Sequence, residues 1–261
     1  MNSREIIKRI EATWPPTYAL EWDNVGLLVG AADKEIKHIL VALDATDDVV
    51  SQAIDMKADM IVSHHPMIFS AIKKVTDEDC LGRRIMTLIK NDISCYAAHT
   101  NFDVKAMAKL NEESLELTDT RVLQVTAMES TPQGIGRVGK VKHQSSLKDF
   151  AKYVRQQLEI KDVRIFGNPQ KEIKTVAISG GSGNGMVEDA IKAGADVLVT
   201  GDISHAKGLE ALAADMAIID AGHYGTECIF VPFVQETLSE MFPDVKVSIA
   251  SQTAPFWTLG E

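Results

Sequence analysis

The chain has 261 residues, 45% of them hydrophobic and 25% charged, as expected of a globular protein with room for one large domain or two ordinary ones. A net charge of −10 argues against a general nucleic-acid binder, because contacts from Lys and Arg to phosphates supply most non-specific affinity. No run approaches the roughly 18 apolar residues that cross a bilayer. Cys80, Cys95 and Cys228 are odd in number and never form a C-x-x-C pair, so a disulfide framework or zinc knuckle is not expected and a reducing cytoplasm is.

The first ten residues carry charges where a signal peptide needs an apolar core, and they read as an amphipathic helix with Ile6, Ile7 and Ile10 on one side. Trp22-Asp23-Asn24-Val25-Gly26 reads as an Asp-Asn turn entering a strand, with a substrate-facing role for Asp23 or Asn24 as the second reading. His38 to Leu43 is a predicted strand. Val50, Ala53, Ile54 and Ala58 then recur at helical spacing, and Met60 to Ser63 returns to strand. Gln133 to Val141 is a Gly-rich strand or turn. Ser146 to Leu158 places Leu147, Phe150, Ala151, Val154 and Leu158 on one helical face, with Ser146 and Asp149 at capping-box spacing. Val163 to Phe166 and Thr175 to Ser179 read as strands, Val187 to Ala195 as a helix and Val197 to Thr200 as a strand.

Alternating strands and helices imply parallel or mixed sheets flanked by helices. Two stretches align residue for residue. Val50 to Asp59 matches Val187 to Asp196, after which Ser63 falls on Thr200, His64 on Gly201 and His65 on Asp202. A second echo sets His99 and Asp103 beside His223 and Glu227, each a histidine with a carboxylate four positions later. That spacing shares a face if the segment is helical. The simplest reading is two related α/β domains, 1–125 and 126–225. Residues 226–261 form a C-terminal helix and strand whose membership of the first domain stays open.

Ser63-His64-His65-Pro66 is the most informative stretch. Pro66 ends the strand, and successive strand residues point to opposite faces. Adjacent histidines are therefore badly placed to share one ion and better placed to hold two, one each. The strand-end set His64, His65, His99, Asp103, His223 and Glu227 mixes imidazole with carboxylate, which suits zinc, iron, manganese, cobalt or nickel. So many donors exceed a mononuclear catalytic site and suit two ions about 3.5–4 Å apart. The loop from Ser179 to Gly185 reads either as a plain turn or as an anion cradle. His205 reads as a surface residue or a proton-transfer group. His38 and His143 sit beside lysines and are expected to be solvated, and Phe256 and Trp257 to pack or to meet another copy.

Taken together, Asp23-Asn24-Val25-Gly26-Leu27, Ser63-His64-His65-Pro66, His99-Thr100-Asn101-Phe102-Asp103, Ser179-Gly180-Gly181-Ser182-Gly183, Thr200-Gly201-Asp202 and Gly222-His223-Tyr224-Gly225-Thr226-Glu227 resemble the NIF-three-like family, GTP cyclohydrolase 1 type 2 homologues. The chain resembles the short form, without a central insert domain. The resemblance implies two α/β domains with a dinuclear metal site in the cleft between them. It implies His64 and Asp103 on one ion, His65 and His223 on the other, Glu227 bridging both, and His99 orienting a ligand or water. A toroidal homohexamer is implied too.

The activity implied is a cytoplasmic dinuclear-metal-dependent hydrolase, with metal-activated water attacking a nucleotide or similar small anionic substrate; His99 and Glu227 are its expected catalytic residues. Two other readings stand beside it. One is a non-catalytic metal-binding or regulatory oligomer, the other a two-metal phosphoesterase.

Overall fold

β-branched and aliphatic runs that are buried along their whole length (His38–Ala42, Met60–Ser63, Ser94–Ala97, Val197–Gly201 and Ala217–Asp220) form the inner part of two mixed sheets, in a computed structural model that describes residues 1–259. The strands, in chain order, are β1 (Gly26–Val29), β2 (His38–Ala42), β3 (Met60–Ser63), β4 (Ser94–Ala97), β5 (Thr118–Met128) and β6 (Pro132–Ser146). After these come β7 (Arg164–Phe166), β8 (Glu172–Ser182), β9 (Val197–Gly201), β10 (Ala217–Asp220) and β11 (Lys246–Ile249). The chain forms two units: Met1–Phe102 with Ile229–Thr253, and Asp103–Cys228 with the residues from Ala254.

The first unit holds a five-stranded sheet in the order β1-β4-β3-β2-β11. β2, β3, β4 and β11 run parallel, and β1 is antiparallel to β4. Leu40, Ala42, Ile61 and Cys95 face one layer, packed with Val49, Val50 and Ala53 of the helix Asp47–Asp55 and Ile85 and Leu88 of the helix Cys80–Lys90. The alternate residues Ile39, Val41, Met60, Val62 and Tyr96 are also fully buried, so the sheet is covered on both faces. At the N-terminus the helix Ser3–Thr13 buries Ile6 and Ile10, and Asn2 caps it by accepting from the Arg4 N–H.

The second unit holds a six-stranded sheet in the order β5-β6-β8-β9-β10-β7. β8, β9 and β10 are parallel, while β7 is antiparallel to β10, β6 to β8 and β5 to β6. Period-two alternation divides its core. Val176, Ile178, Val197, Val199 and Ile219 pack with the helix Leu147–Gln157, and Ala177, Leu198 and Ile218 pack with Val187, Ala190 and Ala211.

The sequence repeat is a repeat of topology. In each unit three sequential parallel strands carry, outside the third, an antiparallel strand that precedes the first in sequence: β1 beside β4, and β7 beside β10. The match reaches single atoms. Asp59 Oδ2 accepts from the backbone N–H groups of Lys37 and His38 at 2.7 and 2.9 Å, and Asp196 Oδ2 accepts from those of Lys174 and Thr175 at 2.9 and 2.8 Å. Lys57 and its counterpart Gly194 both have positive φ, 54° and 73°, where the helix turns into the next strand.

Some expectations change. A boundary at residue 125 falls inside β5, which is tied to β6 along its length. The division comes instead between Phe102 and Asp103. The helix Phe230–Met241 and β11 return to the first unit, where β11 pairs with β2. His38 is not solvated. It opens the inner strand β2 at 5% exposure, with Nδ1 on the Met56 carbonyl and Nε2 on Ser248 Oγ, and burial lowers its pKa. Phe256 and Trp257 are exposed rather than packed.

Candidate metal centre

In the first unit, β3 ends at Ser63, yet its pairing partner carries the chain on: the His64 N–H donates to the Ala42 carbonyl and the His65 N–H to that of Leu43. Beyond Ser63 the backbone bends, so strand alternation no longer governs the two imidazoles. Their ring centroids lie 4.9 Å apart, tilted by 48°. Adjacency alone therefore does not separate them onto two ions; one ligand atom each from His64, His65 and His99 lie within 4.8 Å of one another.

In the second unit, the helix His223–Glu227 starts directly after Gly222, and its i,i+4 spacing sets His223 Nε2 3.1 Å from Glu227 Oε2. A carboxylate oxygen of Asp103 lies within 4.8 Å of one of Glu227. Asp103 opens a π-turn, Asp103–Met107, before the α-helix Ala108–Ser114. Single π-turns inside helices recur at functional sites. The two histidine–carboxylate echoes thus differ locally: His223 is the first helical residue, whereas His99 precedes the helix Thr100–Phe102 and Asp103 lies in the π-turn.

One rule orients all four imidazoles. His65 Nδ1 donates to Asp44 Oδ1 at 2.8 Å, His99 Nδ1 to Asp23 Oδ1 at 2.8 Å, His223 Nδ1 to Asp202 Oδ2 at 2.7 Å, and His64 Nδ1 to the Ala98 carbonyl at 2.9 Å. Carboxylates and carbonyls only accept, so in each ring Nδ1 carries the proton and Nε2 is the donor atom of the neutral form. A carboxylate or carbonyl behind the far nitrogen is the arrangement that fixes tautomer and direction in metal-ligating histidines. Each unit therefore offers donors that suit a divalent metal of the zinc, iron, manganese, cobalt or nickel type: His64, His65 and His99 in the first, and Asp103, His223 and Glu227 in the second.

Asp23 is not substrate-facing. Its carboxylate is fully covered and accepts from His99 Nδ1, from the Thr100 N–H at 3.0 Å and from Thr100 Oγ1 at 2.5 Å. Burial alone would raise its pKa, but the hydrogen bonds from His99 and Thr100 prevail and hold it at about 2. Asn24 donates through Nδ2 to the Ile68 carbonyl.

The segment from Ser179 is strand rather than loop as far as Ser182, where β8 ends. Gly181 takes φ +67°, and its N–H donates to Thr226 Oγ1 at 3.0 Å. A Cβ on Gly181 would meet Glu227 Oε1, and one on Gly180 would lie 3.2 Å from Glu227 Cγ. The glycines let the ligand-bearing helix close onto the strand. His205 is exposed at the start of the helix His205–Ala213, and His143 is exposed as expected.

Asp44 and Asp202 were not singled out as partners of histidine, although both stand at strand ends, where the signal existed. Asn111 had none. It is 1% exposed, neither atom of its amide finds a hydrogen bond among the described residues, and its Nδ2 would lie 3.3 Å from a Cβ at Gly180. It lies two turns along from Asp103, beyond the reach of any spacing rule applied to the motif.

A two-sheet α/β protein with histidines and carboxylates at its strand ends defines a class of candidate metal proteins. The chain belongs to the Duf34/NIF3 (NGG1p interacting factor 3) family, whose description it matches over residues 1–255. It is 34% identical over 256 residues to a GTP cyclohydrolase 1 type 2 homolog of Clostridium perfringens, covering 97% of each chain. It is 35% identical to the Streptococcus pneumoniae homolog, covering 95% of this chain and 94% of that one. The alignment with the Bacillus subtilis homolog spans 355 positions, more than the 261 residues here, so that relative carries residues with no counterpart in this short form. Among solved structures, a Bacillus cereus protein related to NIF3 superposes with a TM-score of 0.92 at 27% identity over 99% of both chains. Reduced HcgD from Methanocaldococcus jannaschii does so with 0.83 at 29% identity, over 95% of this chain and 97% of that one.

Proposed function

We propose that the protein is a dinuclear-metal-dependent hydrolase acting on a nucleotide or similar small anionic substrate. His64, His65, Asp103, His223 and Glu227 would hold the ions, with Glu227 as the carboxylate that both would need. The observation that carries the reading is the common orientation of the imidazoles, each with its Nδ1–H already committed to an acceptor. Such preorganisation serves a ligand role and is wasted on histidines that merely finish strands. The relatives named GTP cyclohydrolase 1 type 2 homolog support a nucleotide as the first substrate to try.

Divalent ions bound there would supply Lewis acidity and lower the pKa of water. The chain's own residues do the rest. Asp44 and Asp202 hold His65 and His223 in one tautomer, and the Ala98 carbonyl does the same for His64. Asp23 holds the Nδ1 proton of His99, so His99 can take up and return a proton only at Nε2. Imidazolium formed at that step is stabilised by the covered Asp23 carboxylate.

The test is turnover by metal-reconstituted protein on a nucleotide panel, followed by purine absorbance and by phosphate release. Opening of the purine ring supports a cyclohydrolase, and phosphate release without it moves the assignment to a phosphoesterase. Full metal loading with no turnover on any nucleotide defeats the hydrolase reading and favours a metal-binding regulatory oligomer.

A further inference from the structure

Trp22 and Phe69 are each 57% exposed, although both are large aromatic residues and touch one another, with ring centroids 5.7 Å apart and planes tilted by 44°. Both also reach the imidazole of His99. Trp22 meets it at 6.0 Å and 73°, Phe69 at 6.3 Å and 67°. These exposed apolar faces therefore adjoin a histidine with an assigned proton, rather than lying at an arbitrary place on the surface.

The pair is held in position by its neighbours in sequence. Within Trp22-Asp23-Asn24, Asp23 turns inward onto His99 and Thr100, and Asn24 Nδ2 ties the turn to the Ile68 carbonyl, one residue before Phe69. Leu20 is fixed as well, its N–H donating to Thr100 Oγ1 at 2.9 Å. Two separate loops thus bring one ring each to the same histidine, and hydrogen bonds on either side set their places. A preformed pair of aromatic faces costs little ordering on binding.

We propose that Trp22 and Phe69 form a stacking shelf for a planar nitrogen heteroaromatic ring, of nucleobase size, carried by the substrate. Aromatic faces hold a flat π-system in offset or tilted stacks, a preference that an aliphatic ligand does not share. Because His99 stands edge-to-face to both rings, a base lying on the shelf is brought beside the one imidazole whose proton Asp23 controls. The shelf sets substrate class, not chemistry: it tolerates any base with a flat face, and the groups around His99 determine the reaction. This inference rests on the reading of the histidines as a reaction centre.

The experiment uses the full metal-loaded chain and a 2-aminopurine ribonucleoside monophosphate, whose emission is quenched on stacking. The shelf predicts quenching, and a dissociation constant about tenfold higher in both Trp22→Ala and Phe69→Ala, the scale of one lost base–aromatic stack. Trp22→Phe keeps most of the affinity. Ribose phosphate lacking a base fails to displace the probe, and metal content is the same in all variants. Equal affinity across the variants, or displacement by ribose phosphate, overturns the shelf. So does loss of the native oligomer in Trp22→Ala with probe affinity unchanged, which makes the pair a contact between copies. If the wild-type chain retains no metal while the stacking results hold, the metal reading falls and the shelf stands.

Discussion

His99 donates its Nδ1 proton to Asp23 at 2.8 Å, across 76 residues of sequence, and the Asp23 carboxylate is entirely covered. Its pKa, held at about 2 against an ordinary 3.8, makes the pair a stability element as well as a positioning one. The folded-state value is depressed, so the contribution is complete above the unfolded value near 3.8 and is lost as pH falls toward 2. The shift corresponds to about 2 kcal/mol. Urea unfolding of metal-free protein is expected to show Asp23→Asn less stable than wild type by that order at pH 6, with the gap closing below pH 4. A gap independent of pH would mean that the carboxylate charge contributes nothing.

Metal binding separates the roles of Glu227 and His99. Glu227→Ala is expected to lose both ions, because its carboxylate is the shared ligand of the proposal. His99→Ala is expected to keep both while losing turnover by roughly 10²–10⁴-fold, the usual contribution of a general acid–base group. Elemental analysis with steady-state rates checks this. Metal loss in His99→Ala would move His99 among the ligands, where its proximity to His64 and His65 also allows it.

Gly181→Ala is expected to lower stability by about 1–3 kcal/mol, since φ +67° strains any other residue and the added methyl group meets Glu227. Its metal content should fall together with its melting temperature. A variant that melts earlier but binds metal normally would show that Glu227 is not set by that contact.

The repeat makes its own prediction. Asp59→Ala and Asp196→Ala each strip two backbone N–H groups of one acceptor, so each should cost about 1–3 kcal/mol and by similar amounts. Denaturant melts of the two variants check it. A large effect at one position alone would make the shared geometry incidental.

Much of this was legible where the cause is local. The bounds of Met60–Ser63 come from an apolar run and a following proline, and the helix Leu147–Gln157 from its apolar face and its Ser146 cap. The repeat was visible because Asp59 and Asp196 perform the same backbone task. What escaped depended on distant partners. The pairing of β11 with β2 joins residues some 200 positions apart, and it is this pairing that buries His38 through Ser248. β5 carries polar residues at most of its positions, so its membership of the sheet comes from β6 rather than from an apolar pattern.

The candidate ligands were all named from sequence, since histidines and carboxylates at strand ends are conspicuous. Their orientation was not, because it comes from Asp23, Asp44 and Asp202, whose partners lie on neighbouring strand ends or in other loops. Opposite faces for His64 and His65 were expected wrongly, because strand geometry was carried past Ser63, where the strand ends.

The central claim is that these oriented imidazoles and carboxylates hold a pair of metal ions. Elemental analysis of the purified protein after reconstitution with zinc, iron, manganese, cobalt and nickel in turn tests it most directly. The account predicts about two ions per protomer with at least one of these metals, falling toward zero in Glu227→Ala. A stoichiometry below about one ion with every metal would contradict it.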